Sequence, residues 1–343
     1  MSTVPAQTPA TQPVEVTASG RAPGSTASRP EPRWPRARRW TRAVLRANLV
    51  AQMGIIVTGG AVRLTGSGLG CSTWPQCEPG SFTPVLHEAT TWHPLIEFGN
   101  RTLTGVVGVI AVAVALLVVT DTRRARSYRW LGLAPLAGVI AQAVIGGVTV
   151  LLHLHPAVVG VHMLVSLGLV TVSTVLLHRS AEGDGPADPV VVPRVRAIGQ
   201  ALAAVAVVLL VLGVVVTGSG PHGGDEDVAY RFAVDPVLVA KLHAAAVWTF
   251  VALVVGLLVT LARTGGPARA RRAATVLLGV TLAQGLVGYV QYFTGLPELL
   301  VGVHMLGAAL LAAAVTWTVL TLRGRRVLAP AGAPAAATPT AAA

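Results

Sequence analysis

The sequence predicts an all-α integral membrane protein: eight transmembrane helices arranged as two similar four-helix bundles, with both termini cytoplasmic. Three observations carry that fold class. The 343-residue chain is 53% hydrophobic and only 12% charged, too apolar and too charge-poor for an ordinary soluble domain. Its apolar residues gather into eight runs, each long enough to cross a hydrocarbon core of ~30 Å. The second four runs repeat motifs of the first four.

The runs fall at residues 43–62, 94–120, 131–151, 157–178, 197–217, 236–262, 274–294 and 299–321. The first contains Arg46 and Asn48, both near its cytoplasmic end, where a long side chain snorkels to the interface at little cost. Loop arginines set the orientation. Arg33, Arg36, Arg38, Arg39 and Arg42 precede the first run. Arg123, Arg124, Arg126 and Arg129 follow the second run, and Arg179, Arg194 and Arg196 follow the fourth. Arg263, Arg269, Arg271 and Arg272 follow the sixth, and Arg323, Arg325 and Arg326 follow the eighth. The alternate loops carry only Arg63 and Arg231. The arginine-rich loops and both termini are therefore expected in the cytoplasm. This placement also accounts for the net charge of +12: the charge sits in short clusters, without interleaved aromatics, which excludes nucleic acid as a partner.

Residues 1–42 are rich in Pro, Ala, Ser, Thr and Arg and lack an apolar core of signal-peptide length. They are expected to form a disordered basic cytoplasmic tail. Residues 43–178 form the expected N-terminal half, 179–196 a cytoplasmic linker and 197–321 the C-terminal half. Residues 322–343, Ala/Pro-rich from about Val327, are expected to be a second disordered cytoplasmic tail.

The halves are related by sequence. Val159-Gly160-Val161-His162-Met163-Leu164 recurs as Val301-Gly302-Val303-His304-Met305-Leu306. At the same offset Ala141-Gln142 matches Ala283-Gln284, and Gly146 matches Gly288. The first run ends in Val57-Thr58-Gly59 and the fifth in Val216-Thr217-Gly218. Four spans per half give both halves the same topology, so the repeat axis is expected along the membrane normal.

Ionisable residues inside a bilayer are costly and point to function. His162, His243 and His304 lie early in the fourth, sixth and eighth runs, at similar depth on the outer side. His243 and His304 come from two helices of one bundle, an arrangement able to hold a heme iron. Ala244, Ala245, Gly302 and Gly307 beside them would leave room for a flat macrocycle. The alternative is two separate histidines bonded to backbone. In the first half His162 stands alone, because Asn100 occupies the place equivalent to His243. One histidine holds a porphyrin loosely, which suits a substrate; the alternative is decay of a redundant site. Glu97, Asn100, Arg101 and Thr104 share a helix face. Glu97 and Arg101 form either a structural ion pair or a dry carboxylate beside a substrate, acting as a base or stabilising developing positive charge.

Cys71 and Cys77 are the only cysteines, and they lie in the first outer loop. In an oxidising compartment they read as a disulfide, either a staple for a Gly-rich loop or a redox-active pair. His87, His93, His153 and His155 read as loop histidines, and His178 and His222 as surface residues. Gln142 and Gln284 read as glue between helices. Gly66-Ser67-Gly68-Leu69-Gly70 lacks the strand–turn–helix context of a phosphate-binding loop.

The segment Val57-Thr58-Gly59-Gly60-Ala61-Val62-Arg63-Leu64-Thr65-Gly66-Ser67-Gly68-Leu69-Gly70-Cys71, continued by Trp74-Pro75 and Cys77, resembles the first outer loop of heme A synthases. Ile96-Glu97-Phe98 with Arg101 resembles the same family, and the resemblance covers roughly residues 43–321. It implies an oxidoreductase that converts one methyl group of heme O to a formyl group, giving heme A for a terminal cytochrome oxidase. It implies a cofactor heme b on His243 and His304 in the C-terminal half. It places substrate heme O in the N-terminal half, with Glu97 as the catalytic carboxylate and His162, Asn100 and Arg101 around the substrate. Family members often carry histidine at the position of Asn100. That departure implies either a single protein ligand, His162, or another group in the sixth position, with Asn100 bonding to Glu97 or to a heme propionate. A cysteine pair in the first loop is similar to the Gram-positive bacterial form, and the implied setting is the bilayer of a bacterial cell membrane. A heme O synthase alongside and a homo-oligomer are left open. The rival reading is a non-enzymatic membrane b-type cytochrome that only transfers electrons; a transporter is a third.

Overall fold

The computed structural model describes residues 36–85, 92–228 and 230–325, with side chains from Trp40 onward. Among these residues eight helical spans are long and apolar enough to cross a membrane. In chain order they are α1 (Arg36–Leu64), α2 (His93–Val119), the short α3 (Arg126–Leu131) continued by α4 (Ala134–Leu151), α5 (Pro156–Arg179), α6 (Pro193–Ser219), α7 (Pro236–Arg263), α8 (Ala268–Phe293) and α9 (Glu298–Thr321). Each of the eight apolar runs is one span, and the chain is a multi-pass membrane protein. Helices answer the requirement that backbone polar groups be satisfied within a segment inside lipid. Proline stands in the first turn of α2, α4, α5, α6 and α7, where its missing N–H and fixed φ cost nothing. Asp235 caps α7 by accepting a hydrogen bond from the Val237 N–H.

The span limits differ from the sequence expectation where arginines flank the apolar runs. Residues 36–42, expected in a disordered tail, are the first two turns of α1. Arginine is a good helix former, so the helix continues past the bilayer edge once its apolar part is fixed. Residues 1–35 lie outside the described residues. The third span starts at Arg126 and breaks near Gly132 and Leu133. The seventh starts at Ala268, again within an arginine cluster.

A small sheet was not expected. β1 (Ala187–Pro189) in the linker pairs antiparallel with β2 (Arg323–Arg325), with Asp188 opposite Gly324. Residues 323–325 are therefore a strand and not part of a disordered tail; 326–343 lie outside the described residues. Neither strand has apolar alternation. The pairing follows from tertiary proximity, since α5 and α9 end and α6 begins on the same side, and the Val190 N–H already bonds to the Leu322 carbonyl at 3.1 Å.

On that side Asp184 joins the first connection to the linker. It accepts hydrogen bonds from Arg124 Nε (2.8 Å) and Nη2 (3.1 Å) and from the Ala125 N–H (2.8 Å). Burial pushes the Asp184 pKa up, but the bonds from Arg124 and Ala125 and the charges of Arg124 and Arg179 outweigh it and hold the carboxyl below its ordinary value.

One apolar cluster fills the C-terminal bundle around Phe250, Leu202, Leu257, Leu261 and Leu277. A smaller one in the N-terminal bundle includes Leu45, Val114, Val118 and Leu176. Between them Ile56, Leu167, Val170, Ala309 and Ala312 pack where α1, α5 and α9 meet. Small residues on α9 let the backbones approach, the usual solution where lipid gives helices no hydrophobic reason to associate.

Candidate functional site

A cavity of about 810 Å³ opens among the helix halves remote from the β1–β2 sheet, and both bundles line it. Glu97, Asn100, Arg101 and His162 face it from the first half, and His243 and His304 from the second. The fold thus brings every singled-out intramembrane residue to one continuous space rather than to two separate sites.

Each cavity histidine is built the same way. The ring of His162 on α5 lies over Gly146 on α4: a Cβ added there would stand 3.3 Å from its Cε1. His304 on α9 lies over Gly288 on α8 at 3.2 Å, and His243 on α7 over Gly213 on α6 at 3.2 Å. A Cβ at any of the three positions would press on the imidazole, which would have to give by a few tenths of an ångström. These glycines make the space around the rings, and the sequence reading assigned that role elsewhere. Ala244 does line the cavity. Gly302, however, faces Leu64, and Gly307 packs against the Gln284 side chain.

Gln142 and Gln284 hold the backbone of the two repeat-related histidines. Gln142 Nε2 donates to the His162 carbonyl at 2.9 Å, and Gln284 Nε2 to the His304 carbonyl at 3.0 Å. Gln142 also bonds to Ser166. This is the helix–helix glue expected of both residues. The Nδ1 atoms of His162, His243 and His304 are buried and have no hydrogen-bond partner. Buried polar atoms in folded proteins nearly always have one, so three such imidazole nitrogens around one cavity mark these rings as a set.

Asn100 is bonded neither to Glu97 nor to any anion. Its Oδ1 accepts from Thr58 Oγ1 at 2.8 Å. Where His243 covers Gly213 in the second half, Gly54 at the corresponding place in α1 has nothing within 4 Å of a built Cβ.

Glu97 is 5% exposed and anchors the loop between α1 and α2. Its Oε1 accepts from Arg101 Nε (3.1 Å) and Nη2 (2.5 Å), and its Oε2 from the Cys71 N–H at 2.7 Å. Arg101 extends to the carbonyls of Gln76 (3.1 Å) and Thr73 (3.0 Å). The ion pair expected as one of two alternatives is present, and it faces the cavity. Cys71 and Cys77 form a disulfide in the same loop, fully buried. The loop's Trp74 lies on Gly147 of α4 and lines the cavity, so the loop is its roof over the N-terminal half.

The remaining histidines lie elsewhere. His93 bonds through Nδ1 to Ser67 Oγ at 2.9 Å. His153 and His155 do not line the cavity, and His87 falls outside the described residues. Two residues read as surface are not. His178 pairs with Glu182 at 3.2 Å. His222 bonds to the Leu296 carbonyl at 2.8 Å and offers its own carbonyl to Arg63. Both are half-buried, His222 where two connections pack against each other, a contact that periodicity does not encode. Sequence reasoning also missed Arg63, Trp74 and Lys241 as cavity residues. The signal was available for Arg63, one of two arginines at the arginine-poor connections.

Comparison with known proteins agrees with this architecture. Heme A synthase from Bacillus licheniformis is 30% identical over 129 residues, which cover 37% of this chain and 40% of that protein. Heme A synthase from Lysinibacillus sphaericus is 33% identical over 132 residues, covering 38% and 41%. Heme A synthase from Bacillus cereus is 32% identical over 115 residues, covering 33% and 36%. The matches thus span about two fifths of the length of these bacterial relatives. A family-wide comparison matches residues 42–222, more than half of the chain, to the COX15-CtaA group, described as cytochrome oxidase assembly protein. The chain belongs to the COX15-CtaA family of cytochrome oxidase assembly proteins.

Proposed function

We propose that the chain is a heme A synthase that oxidises a methyl group of heme O to a formyl group. The observation that carries this reading is the single cavity with Glu97 and His162 on one side and His243 and His304 on the other. The residues present fit a porphyrin iron. Three imidazoles carry unpartnered ring nitrogens, and each stands beside a glycine on a neighbouring helix.

In this reading the C-terminal half holds heme b through His243 and His304, which would supply electron relay. Heme O is the substrate of the N-terminal half, held by His162 with Asn100 and Arg101 around it. Taking the methyl carbon through the alcohol and the hydrated aldehyde, which loses water to leave the formyl group, removes four electrons in two two-electron steps, and an external electron acceptor must take them up. Glu97 accepts three N–H donors and retains a lone pair on Oε2. That oxygen is available to take a proton or to stabilise positive charge developing near the reacting carbon. The disulfide loop, tied down by Glu97 and Arg101, covers the substrate side and excludes water. In this reading the arginine-rich connections face the cytoplasm, and the cavity opens toward the outer face.

Glu97→Ala tests the assignment. Heme A formation should fall by at least tenfold while the spectrum of a bis-histidine heme persists. Unchanged heme A formation would remove Glu97 from the chemistry. Loss of His243 or His304 should abolish the bis-histidine spectrum; loss of His162 should not.

A further inference from the structure

Arg63 and Arg231 stand apart from the arginine-rich connections, and the fold brings the two together. Arg63 ends α1 and lines the cavity. Arg231 stands in the connection before α7 and bonds to the Gly220 and Pro221 carbonyls, next to the His222 carbonyl that Arg63 holds. The adjacent glycines Gly223 and Gly224 lie against them: the Arg231 guanidinium covers Gly223, and a Cβ on Gly224 would stand 3.8 Å from Arg63 Cγ.

Both guanidiniums are bonded only to neutral carbonyls among the described residues. Arg63 donates through Nε to the His222 carbonyl (2.7 Å) and through Nη2 to the Thr217 carbonyl (2.8 Å). That leaves most of its five N–H groups, including both on Nη1, for another acceptor. Arg231 donates to the carbonyls of Gly220, Pro221, Val228 and Tyr230. No carboxylate lies within 4 Å of either arginine among the described residues, although Asp225, Glu226 and Asp227 stand in the same connection. Two like charges held together in a partly dry place repel each other, and an anion between them or beside them removes that cost. At the offset that relates Thr58 to Thr217, Arg63 corresponds to His222, so the site forms where repeat-equivalent ends of the two bundles touch.

We propose that Arg63, backed by Arg231, binds a carboxylate at the outer end of the cavity, and that this carboxylate is a propionate of the bound porphyrin. Planar guanidinium matches a carboxylate through parallel N–H bonds. A tetrapyrrole whose iron sits on the cavity histidines carries its only two anionic groups on one edge. The proposal rests on the heme reading and adds what orients the ring: its acid edge toward the seam and outer face, its apolar edge toward the bilayer core.

The test compares iron protoporphyrin IX with its dimethyl ester, which keeps the iron and ring and loses both charges. The full-length chain, produced under heme limitation, is titrated with each in detergent and followed by the imidazole-ligated absorbance. The diacid should bind about ten- to a hundredfold more tightly, the worth of a charge-assisted hydrogen bond. Arg63→Met should cut that preference to within about twofold while leaving the ester's affinity unchanged, and Arg63→Lys should restore part of it. Arg231→Met should lower the preference by a smaller factor. A purely structural arginine would weaken both ligands alike. Equal binding of diacid and ester by the unaltered chain would overturn the proposal and leave the heme reading standing, even if the Arg63 variants fail to fold. Binding of neither porphyrin would overturn both.

Discussion

Arg101→Leu is the perturbation that separates the loop's anchoring from its chemistry. Arg101 makes two bonds to Glu97 and one each to the Gln76 and Thr73 carbonyls. Its removal leaves a carboxylate of 5% exposure with only the Cys71 N–H as partner. Breaking a buried ion pair by deleting one member costs about 3–5 kcal/mol. Arg101 itself is 21% exposed, so water recovers part of that and roughly 2–3 kcal/mol remains. Local opening of the roof should rise roughly 30- to 150-fold, since each 1.4 kcal/mol is a factor of ten. Cys71 and Cys77 are fully buried in that roof, so opening can be read as the rate at which a water-soluble phosphine reduces their disulfide, trapped with a maleimide and counted by mass. Glu97→Gln should change this rate much less, because the amide oxygen still accepts from Cys71 and no unpaired charge remains. If Arg101→Leu reduces at a rate within twofold of the unaltered protein, the Glu97–Arg101 pair does not hold the loop and the anchoring account is wrong.

Other consequences follow from the same geometry. Gly288→Val should displace the His304 ring, since even a Cβ stands 3.2 Å from Cε1; the bis-histidine heme spectrum should turn largely high-spin without loss of helix by circular dichroism. Gln284→Leu removes the bond to the His304 carbonyl, and a lost buried hydrogen bond of about 1 kcal/mol should lower the thermal midpoint by a few degrees with a smaller spectral change. At the linker face the folded pKa of Asp184 lies below its unfolded value. Its stabilisation is therefore complete above the unfolded carboxylate pKa of ~3.9 and fades as pH falls through the folded value. Asp184→Asn should lower the midpoint at pH 7 and flatten its acid dependence; equal acid dependence in both proteins would refute that assignment.

Much of this was legible in the sequence, for physical reasons that differ by feature. The eight spans were readable because lipid demands about twenty apolar residues in a row. The pairing of Gln142 with Gln284 and of His162 with His304 was readable because a duplicated bundle keeps its offset. The extra turns at Arg36–Arg42 and Ala268–Arg272 were not, because charged helix formers carry no hydrophobic signal. The pairing of Ala187–Pro189 with Arg323–Arg325 is a contact between segments far apart in the chain. The glycines under the rings were present as letters, but Gly213 and Gly288 are only two of 37 glycines. What distinguishes them is the helix facing them. His222 and Arg63 illustrate the same limit: each looked like an isolated polar residue, and the touching of the two bundle ends gives both their partners.

The most direct test of the central claim is mass spectrometry of hemes extracted from cells that lack their own heme A synthase and co-express this chain with a heme O synthase. The account predicts heme A, or its hydroxylated precursor, only when this chain is present. Unconverted heme O beside heme b, from folded protein with a bis-histidine spectrum, would contradict it and leave a membrane cytochrome that carries electrons without altering the porphyrin.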